Sequence, residues 1–266
     1  MKKKKAPRDR SRLTRFFFLP SIFTTLNLLL GYLALMQVMK GRFTTAVLLI
    51  TGAVIMDGFD GTIARLLKSE SNFGVQLDSL TDGVTFGLVP AILISSWGFQ
   101  NAYPQIGQIC GFLYLSAGVI RLARFNVFKE ADAFPANIFI GLPIPVAAMA
   151  VGSPVLLRGG TPPQLKLQIV AFALFSFLIS LLMISNIHYR TKKKVGTRNS
   201  LQALLILALM IALLVLYPGT TIPVLTLIYV VSPIFIFLWR KIRHRGRSAE
   251  KAPSPPAVET GEPRHG

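Results

Sequence analysis

The sequence has few charged residues for its length. Only 15% of its 266 residues are charged, whereas a soluble domain carries nearer a quarter. It contains one cysteine, Cys110, which excludes an intramolecular disulfide, and three scattered histidines, which argue against a histidine-based metal site. It also lacks a Walker phosphate-binding loop and a dinucleotide-binding fingerprint. The low fraction of charged residues excludes a single soluble core. The commonest nucleotide-binding motifs are also absent.

Apolar residues, in contrast, come in long blocks. The composition is 52% hydrophobic, and the blocks are about 20 residues long, which is the length a helix needs to cross ~30 Å of hydrocarbon. We therefore predict an all-α membrane protein. The eight predicted spans are residues 20–39, 43–64, 75–97, 105–125, 138–157, 165–186, 200–217 and 221–239. The last two contain no charged residue before Arg240 and are predicted to be plain lipid-facing helices.

Basic residues are distributed unequally between the two sides of this arrangement. Of the 29 lysines and arginines, 25 lie in the segments on the side of the N-terminus and 4 on the other side. By the positive-inside rule, we predict a multi-pass membrane protein with both termini cytoplasmic. We expect the membrane to be the inner (cell) membrane of a prokaryote. The net charge of +18 then reflects orientation and contact with anionic headgroups. We expect no binding of nucleic acid.

The predicted spans divide the chain into four segments. Residues 1–19 are a basic cytoplasmic arm and an interfacial helix, which Pro20 separates from the first span. Residues 20–186 are predicted to form a six-helix transmembrane domain, which would hold any catalytic site because the polar residues at membrane depth are concentrated there, and residues 187–240 a linker with two extra transmembrane helices. Residues 241–266 are predicted to be a disordered basic cytoplasmic tail.

Four of the six aspartates, Asp57, Asp60, Asp78 and Asp82, lie within or at the ends of the second and third spans. Carboxylates at membrane depth are costly, and neighbouring ones repel each other, so such a cluster requires bound cations or protonation of some of its members. Spacings of three and four place each pair on one helical face, and the short connection lets the two faces meet. Carboxylate oxygens suit Mg²⁺ or Mn²⁺, two of which can clamp the attacked and leaving phosphate oxygens. The alternative is that these aspartates are ordinary helix caps and loop residues.

The four aspartates belong to a longer pattern. It reads Asp57-Gly-Phe-Asp60-Gly61-Thr-Ile-Ala64-Arg65, then eight residues, then Gly74-Val-Gln-Leu-Asp78-Ser-Leu-Thr-Asp82. This pattern resembles the signature of the CDP-alcohol phosphatidyltransferase family at all eight of its fixed positions. The resemblance implies a six-helix core, usually homodimeric, that holds two divalent cations.

The same resemblance implies roles for the signature residues. Asp57, Asp60 and Asp78 would be metal ligands, and Asp82 would be a further ligand or the base that activates the acceptor hydroxyl. The residues implied to line the CDP-lipid pocket are Gly61, Ala64, Arg65 and Gly74. Near the first span, Leu19-Pro20-Ser21-Ile-Phe-Thr24-Thr-Leu-Asn27 resembles the family's opening segment, although Ser21 stands where asparagine is usual. Thr24 and Asn27 are therefore predicted to contact the cytidine side of the CDP-lipid.

Two further stretches bear on the acceptor alcohol. Arg121-Leu-Ala-Arg124-Phe-Asn126 ends the fourth span, and Phe139-Ile-Gly-Leu-Pro143-Ile-Pro145 opens the fifth. Over about residues 15–150 the chain is similar to the integral-membrane phosphatidylserine synthases of this family. That similarity implies transfer of a phosphatidyl group from CDP-diacylglycerol to L-serine, with release of CMP, by metal-assisted in-line attack of the serine hydroxyl.

Serine also suits the basic residues of the first stretch. Guanidinium groups bind carboxylates in a bidentate fork, so Arg121 and Arg124 are predicted to bind serine, with Asn126 beside them. Gly141 to Pro145 are predicted to shape a helix break. Two alternatives remain: transfer to glycerol 3-phosphate or an inositol phosphate, and a cation-coupled transporter that uses the aspartates as its ion site. Transporters usually place such charges at the membrane midplane on interrupted helices, whereas these aspartates flank one cytoplasmic loop.

Overall fold

A computed structural model describes residues 10–67, 72–100, 102–130, 138–186, 188–190, 208–210 and 212–232. Side chains are described over residues 22–59, 73–100, 102–127, 141–186, 208–210 and 212–232. The elements are, in chain order, α1 (Arg10–Met39), α2 (Phe43–Leu67), α3 (Asn72–Asp82), a π-helical segment (Gly83–Leu88), α4 (Val89–Phe99), α5 (Pro104–Glu130), β1 (Ile138–Ile140), α6 (Ile144–Leu157), α7 (Lys166–Ile184), β2 (His188–Arg190) and α8 (Pro218–Ser232).

Most of these helices are apolar enough to belong in a membrane. Within the residues described, four are also long enough to cross it: Ile22–Met39, Phe73–Phe99, Pro104–Val127 and Lys166–Ile184. Shorter apolar helices cover Phe43–Phe59, Ile144–Leu157 and Pro218–Ser232. The prediction of an all-α membrane protein is confirmed, with a three-residue antiparallel pairing of β1 and β2 as a minor addition. The division into six core helices and two extra ones stays a prediction.

The fifth predicted span begins later than expected. It was predicted from residue 138, but residues 138–140 are extended and α6 begins at Ile144. Gly141 explains the difference, because its φ of +78° is a conformation that favours glycine. A Cβ at Gly141 would also collide with the carbonyl oxygen of Met183 at the end of α7. The chain therefore turns between β1 and α6, in the region predicted to contain a helix break.

The N-terminal helix is longer than predicted. α1 runs without interruption from Arg10 through Pro20 to Met39, so the prediction that Pro20 separates two helices was wrong. Proline removes one backbone donor and kinks a helix, but a long membrane helix can continue through it. The interfacial location of residues 13–19 stays a prediction. The predicted arm up to residue 9, most of the linker and the tail at 241–266 lie outside the described residues.

The helix that contains Asp78 and Asp82 packs antiparallel to α5. A Cβ added at Gly83 would lie 3.8 Å from Leu122 Cδ1, and one added at Gly87 would lie 3.3 Å from Leu115 Cδ1. Such small residues let membrane helices approach closely. Because the π-helical segment joins α3 to α4 without a break, these contacts fix α3 relative to the end of α5.

α1 packs against the same helix from another side. A Cβ at Gly31 would collide with the hydroxyl of Thr85, which lies in the π-helical segment. The Thr85 hydroxyl also donates a 3.5 Å hydrogen bond to the carbonyl oxygen of Asn27, one turn earlier on α1. α1 is therefore held close beside Asp82.

Aromatic side chains fill the core at the opposite end of the bundle. The rings of Trp97 on α4 and Phe172 on α7 are edge to face with centroids 5.0 Å apart. Trp97 Nε1 donates a 3.0 Å hydrogen bond to the carbonyl oxygen of Gly160, which follows α6. This apolar packing anchors the helices at one end, while their polar residues meet at the other.

α8 is more than the lipid-facing helix that its composition predicted. Ile222 and Thr226 are buried against the rest of the bundle, whereas Val224, Leu227 and Ile228 are exposed. The prediction was therefore wrong for one face of this helix. An apolar helix in a membrane shows no polar–apolar contrast between its protein-facing and lipid-facing sides, so its composition could not reveal the packed face.

Candidate active site

Three of the four aspartates in the signature converge. Asp57 projects from α2, and Asp78 and Asp82 project from α3, one turn apart. One carboxylate oxygen from each residue lies within 4.8 Å of the other two. Asp60 is also on α2, but its side chain is outside the described residues. The antiparallel pairing of two acidic helical faces thus produces a compact set of oxygen ligands.

Asp82 is the most enclosed member of the cluster. Its side chain is 9% exposed and lies close enough to Asp57 and Asp78 for the carboxylates to repel one another. It accepts a hydrogen bond from the side chain of Asn27. Asn27 is itself 1% exposed, and Thr24, one turn earlier on α1, is also buried. The residues predicted to contact cytidine therefore lie on the face of α1 that meets the acidic cluster. Their contact with a nucleotide stays a prediction.

Buried polar atoms without partners concentrate around this cluster. Across the described side chains there are four such atoms: Asn27 Oδ1, Asp82 Oδ1 and Arg121 Nε belong to residues at the cluster, and Gln37 Oε1 lies ten residues beyond Asn27 on α1. Buried polar atoms normally have a hydrogen-bond partner, so a group of them in one place indicates a ligand site. The converging carboxylates supply the hard oxygen donors that a divalent cation prefers. The residues present therefore fit a divalent-cation site.

Arg121 places a positive charge beside the acidic cluster. It is only 7% exposed, and it interacts electrostatically with Asp82 on α3, with Arg124 and Tyr114 on α5, and with Tyr229 on α8. Burying a guanidinium is costly unless partners compensate its charge and its donors. Arg121 is thus positioned to bind an anionic group that arrives next to Asp82.

Arg124 makes contacts of a different kind. Its Nη1 donates to the carbonyl oxygen of Ile184 at 2.9 Å and to Asn186 Oδ1 at 3.3 Å, and its Nη2 donates to the carbonyl oxygen of Ser185 at 3.3 Å. A cation at the C-terminal end of a helix satisfies exposed carbonyls and complements the helix dipole. These bonds tie the end of α5 to the end of α7.

Asn126 connects α5 to the helix that carries the aspartates. Its Nδ2 donates to Ser79 Oγ at 3.0 Å, and the Ser79 hydroxyl and Asn126 Oδ1 lie 3.2 Å apart. Ser79 directly follows Asp78, so this pair fixes the end of α3 near the cluster. Of the three residues predicted to bind serine, Arg121 thus lies against the acidic cluster, whereas Arg124 and Asn126 form hydrogen bonds to other helices. Their contact with serine stays a prediction.

The remaining predicted pocket residues lie on the same two helices. Gly74 is half-buried on α3, two turns before Asp82. Gly61, Ala64 and Arg65 lie in the last turns of α2, with side chains outside the described residues. All of them are on the side of the acidic cluster that leads to the α2–α3 connection.

The π-helical segment begins immediately after Asp82. The hydroxyl of Tyr114, which is fully buried on α5, donates a 3.1 Å hydrogen bond to the carbonyl oxygen of Phe86 in this segment. Short π-helical turns within α-helices are frequent at functional sites, because they change the direction of the side chains around them. Sequence reasoning missed this segment together with Ser79, Tyr114 and Tyr229. Gly83 and Gly87 are the only local sequence signal, and glycine alone does not predict a π-helix.

Comparison with known proteins decides the family. A sequence model described as CDP-alcohol phosphatidyltransferase matches residues 17–184, which include every helix that contributes to the acidic cluster. The chain belongs to the CDP-alcohol phosphatidyltransferase family. The resemblance read from the signature is therefore confirmed, and so is the assignment of the chain to this class of enzyme.

Curated members of the family are similar to the chain over most of its length. A CDP-diacylglycerol–serine O-phosphatidyltransferase of Helicobacter pylori strain J99 is 33% identical over 235 residues, which cover 85% of this chain and 94% of that relative. A Bacillus subtilis protein with the same name is 34% identical over 182 residues, covering 68% of this chain and 95% of the relative. An archaetidylserine synthase of Methanothermobacter thermautotrophicus is 36% identical over 180 residues, covering 67% of this chain and 72% of the relative.

Proposed function

We propose that the chain transfers a phosphatidyl group from CDP-diacylglycerol to L-serine, giving phosphatidylserine and CMP. The observation that carries this proposal is the convergence of Asp57, Asp78 and Asp82 beside a buried arginine. The names of the relatives from Helicobacter and Bacillus support serine as the acceptor. The relative from Methanothermobacter is also named as a serine enzyme, which supports the same acceptor.

The acidic cluster is the part of the site that would hold divalent cations. Asp57, Asp78 and Asp82 are the proposed ligands, and Asp60 is expected to join them, with Mg²⁺ or Mn²⁺ as the ion and two ions as the expected number. Bound there, a divalent cation supplies positive charge for the phosphate oxygens and for the leaving CMP.

Asp82 is proposed to act as the base. The serine hydroxyl oxygen forms a bond to the phosphorus that carries diacylglycerol, the bond from that phosphorus to the CMP oxygen breaks, and the hydroxyl proton passes to Asp82. A positioned carboxylate serves this purpose because a neutral hydroxyl is a poor nucleophile. The hydrogen bond from Asn27 fixes the orientation of the Asp82 carboxylate.

Arg121 is proposed to bind the serine carboxylate. Its guanidinium is buried next to Asp82, so a carboxylate held in its fork would keep the rest of the serine close to the base. The contacts of Arg124 and Asn126 with other helices favour a role for these residues in positioning α5.

The site is proposed to open toward the cytoplasm. The basic segments at 65–77 and 121–137 flank the helix ends that carry the acidic cluster and Arg121, as the positive-inside rule expects for a cytoplasmic surface. A prokaryotic inner membrane and a homodimer are further expectations, the second of which comes from the family resemblance.

An acceptor panel tests the proposal. Purified protein in detergent micelles with CDP-diacylglycerol would receive L-serine, glycerol 3-phosphate or an inositol phosphate, each with and without EDTA. We expect release of CMP with serine, loss of release in EDTA and recovery with excess Mg²⁺ or Mn²⁺. Incorporation of only a non-serine acceptor would overturn the choice of serine. A failure to release CMP with every acceptor would overturn the proposed transfer itself.

A further inference from the structure

α8 reaches from the far end of the bundle to the candidate active site. A Cβ at Gly219, near the start of α8, would lie 3.8 Å from the carbonyl oxygen of Leu156 at the end of α6. Ile222 and Thr226 continue the buried face, and Tyr229 lies three residues after Thr226 on the same side of the helix. Tyr229 interacts electrostatically with Arg121, which itself faces Asp82.

Arg121 needs more partners than a serine carboxylate can supply. A guanidinium has five N–H donors in a rigid plane, and a bidentate carboxylate uses two of them. Its Nε has no hydrogen-bond partner among the described residues. The phenol oxygen of Tyr229 can accept a hydrogen bond, and α8 holds this residue beside the guanidinium. Tyr229 is 41% exposed, whereas Arg121 is 7% exposed, so the tyrosine lies at the edge of the buried site.

We propose that Tyr229 is a positioning residue that fixes the orientation of Arg121 for the serine carboxylate, so that α8 completes the acceptor site. This inference rests on the proposed function. It also gives a role to a helix outside the family domain, which ends at residue 184.

The relatives limit how large this role is. The match to the Helicobacter protein covers 85% of the chain, more than the part that ends at residue 184, and so continues into the C-terminal region. The match to the Bacillus relative spans only 182 residues and yet covers 95% of that protein. The Bacillus protein is therefore too short to contain the full C-terminal region of this chain. Since that protein is also named as a serine transferase, Tyr229 is not a requirement of the chemistry. Its effect is expected on the binding of serine.

The test compares Tyr229→Phe with Tyr217→Phe in the purified full-length chain. Tyr217 is an exposed tyrosine just before α8, at the opposite end of the helix, so its variant is the matched control. Because the proposed hydrogen bond acts on serine only through Arg121, its loss in Tyr229→Phe should have the effect of an ordinary hydrogen bond and raise the KM for serine about 3- to 10-fold. The kcat, the KM for CDP-diacylglycerol and the Mn²⁺ affinity measured by electron paramagnetic resonance should stay at wild-type values. Tyr217→Phe should match the wild type in every measurement.

Each other result has a distinct meaning. An unchanged KM for serine in Tyr229→Phe would overturn the inference. A parallel change in both KM values and in Mn²⁺ affinity would also overturn it, because it would indicate a general structural role. If the wild type binds Mn²⁺ but releases no CMP with serine, the proposed function itself fails. Tyr229→Leu, which removes the whole ring, should raise the KM for serine at least as much as Tyr229→Phe.

Discussion

Replacing Asp82 with asparagine should stabilise the metal-free protein while weakening its binding of divalent cations. The reason is the crowding of the three carboxylates, whose nearest oxygens lie within 4.8 Å of one another. At such a separation two unit charges repel by about 3.5 kcal/mol at an effective dielectric constant of about 20. Asp82 takes part in two such pairs, so asparagine removes at most about 7 kcal/mol of repulsion if all three carboxylates are ionised, and less once protonation within the cluster and the lost attraction to Arg121 are counted. The amide oxygen of asparagine can still accept the hydrogen bond from Asn27.

Divalent cations should reverse the order of stability. A ligand at 100 times its dissociation constant stabilises the folded state by about 2.7 kcal/mol. For a chain of this size each kcal/mol shifts the unfolding midpoint by about 2–4 °C. Wild-type protein should therefore gain several degrees when Mn²⁺ replaces EDTA, whereas Asp82→Asn, with one ligand fewer, should gain less. Release of CMP should fall by at least about 100-fold in this variant, the lower range for a lost general base.

The assay is thermal unfolding of detergent-solubilised protein, once in EDTA and once in Mn²⁺. Asp132→Asn is the matched control, because it removes an aspartate outside the signature and should respond to Mn²⁺ as the wild type does. The reasoning is refuted if Asp82→Asn unfolds at a lower temperature than wild type in EDTA and still gains the full wild-type increment in Mn²⁺. That result would mean that the carboxylates neither repel one another nor share a cation.

Three other predictions, two of them with a comparison variant, test separate parts of the structure. Arg121→Lys should raise the KM for serine about 10- to 100-fold, since lysine cannot form the bidentate fork, whereas Arg124→Lys should mainly lower the unfolding midpoint. Steady-state kinetics beside thermal unfolding distinguish the two. Gly31→Ala should destabilise the protein by about 1–3 kcal/mol, because its Cβ meets a buried threonine hydroxyl. Gly52→Ala, where a Cβ finds ordinary contacts, should be tolerated in the same unfolding assay. Tyr114→Phe should lower stability by about 0.5–1.5 kcal/mol without changing the choice of acceptor in the acceptor panel.

The sequence predicted the acidic cluster well because spacing in a helix is a strong constraint. Asp78 and Asp82 are four apart and share a face, and a short connection to α2 brings Asp57 opposite them. The two arginines of α5 show where the same reasoning stops. Arg121 and Arg124 are three residues apart and equally basic, so their spacing predicts the same role, binding of serine, for both. Their different surroundings arise from the end of α7, some 60 residues further along the chain, which provides carbonyl acceptors for Arg124 alone.

α8 illustrates a limit that is specific to membrane proteins. In a soluble protein, the buried face of a helix is apolar and the exposed face is polar, so the sequence shows which side packs. In lipid both faces are apolar, and the packed side is marked only by small and polar residues. In the interior of α8 those residues are Thr226 and Tyr229, which with Gly219 near its start lie on the side that meets the bundle or Arg121, whereas Thr220 and Ser232 at the two ends are exposed. The positions of polar residues within an apolar helix are therefore better evidence of its role than its mean hydropathy, and here they point to the acceptor site.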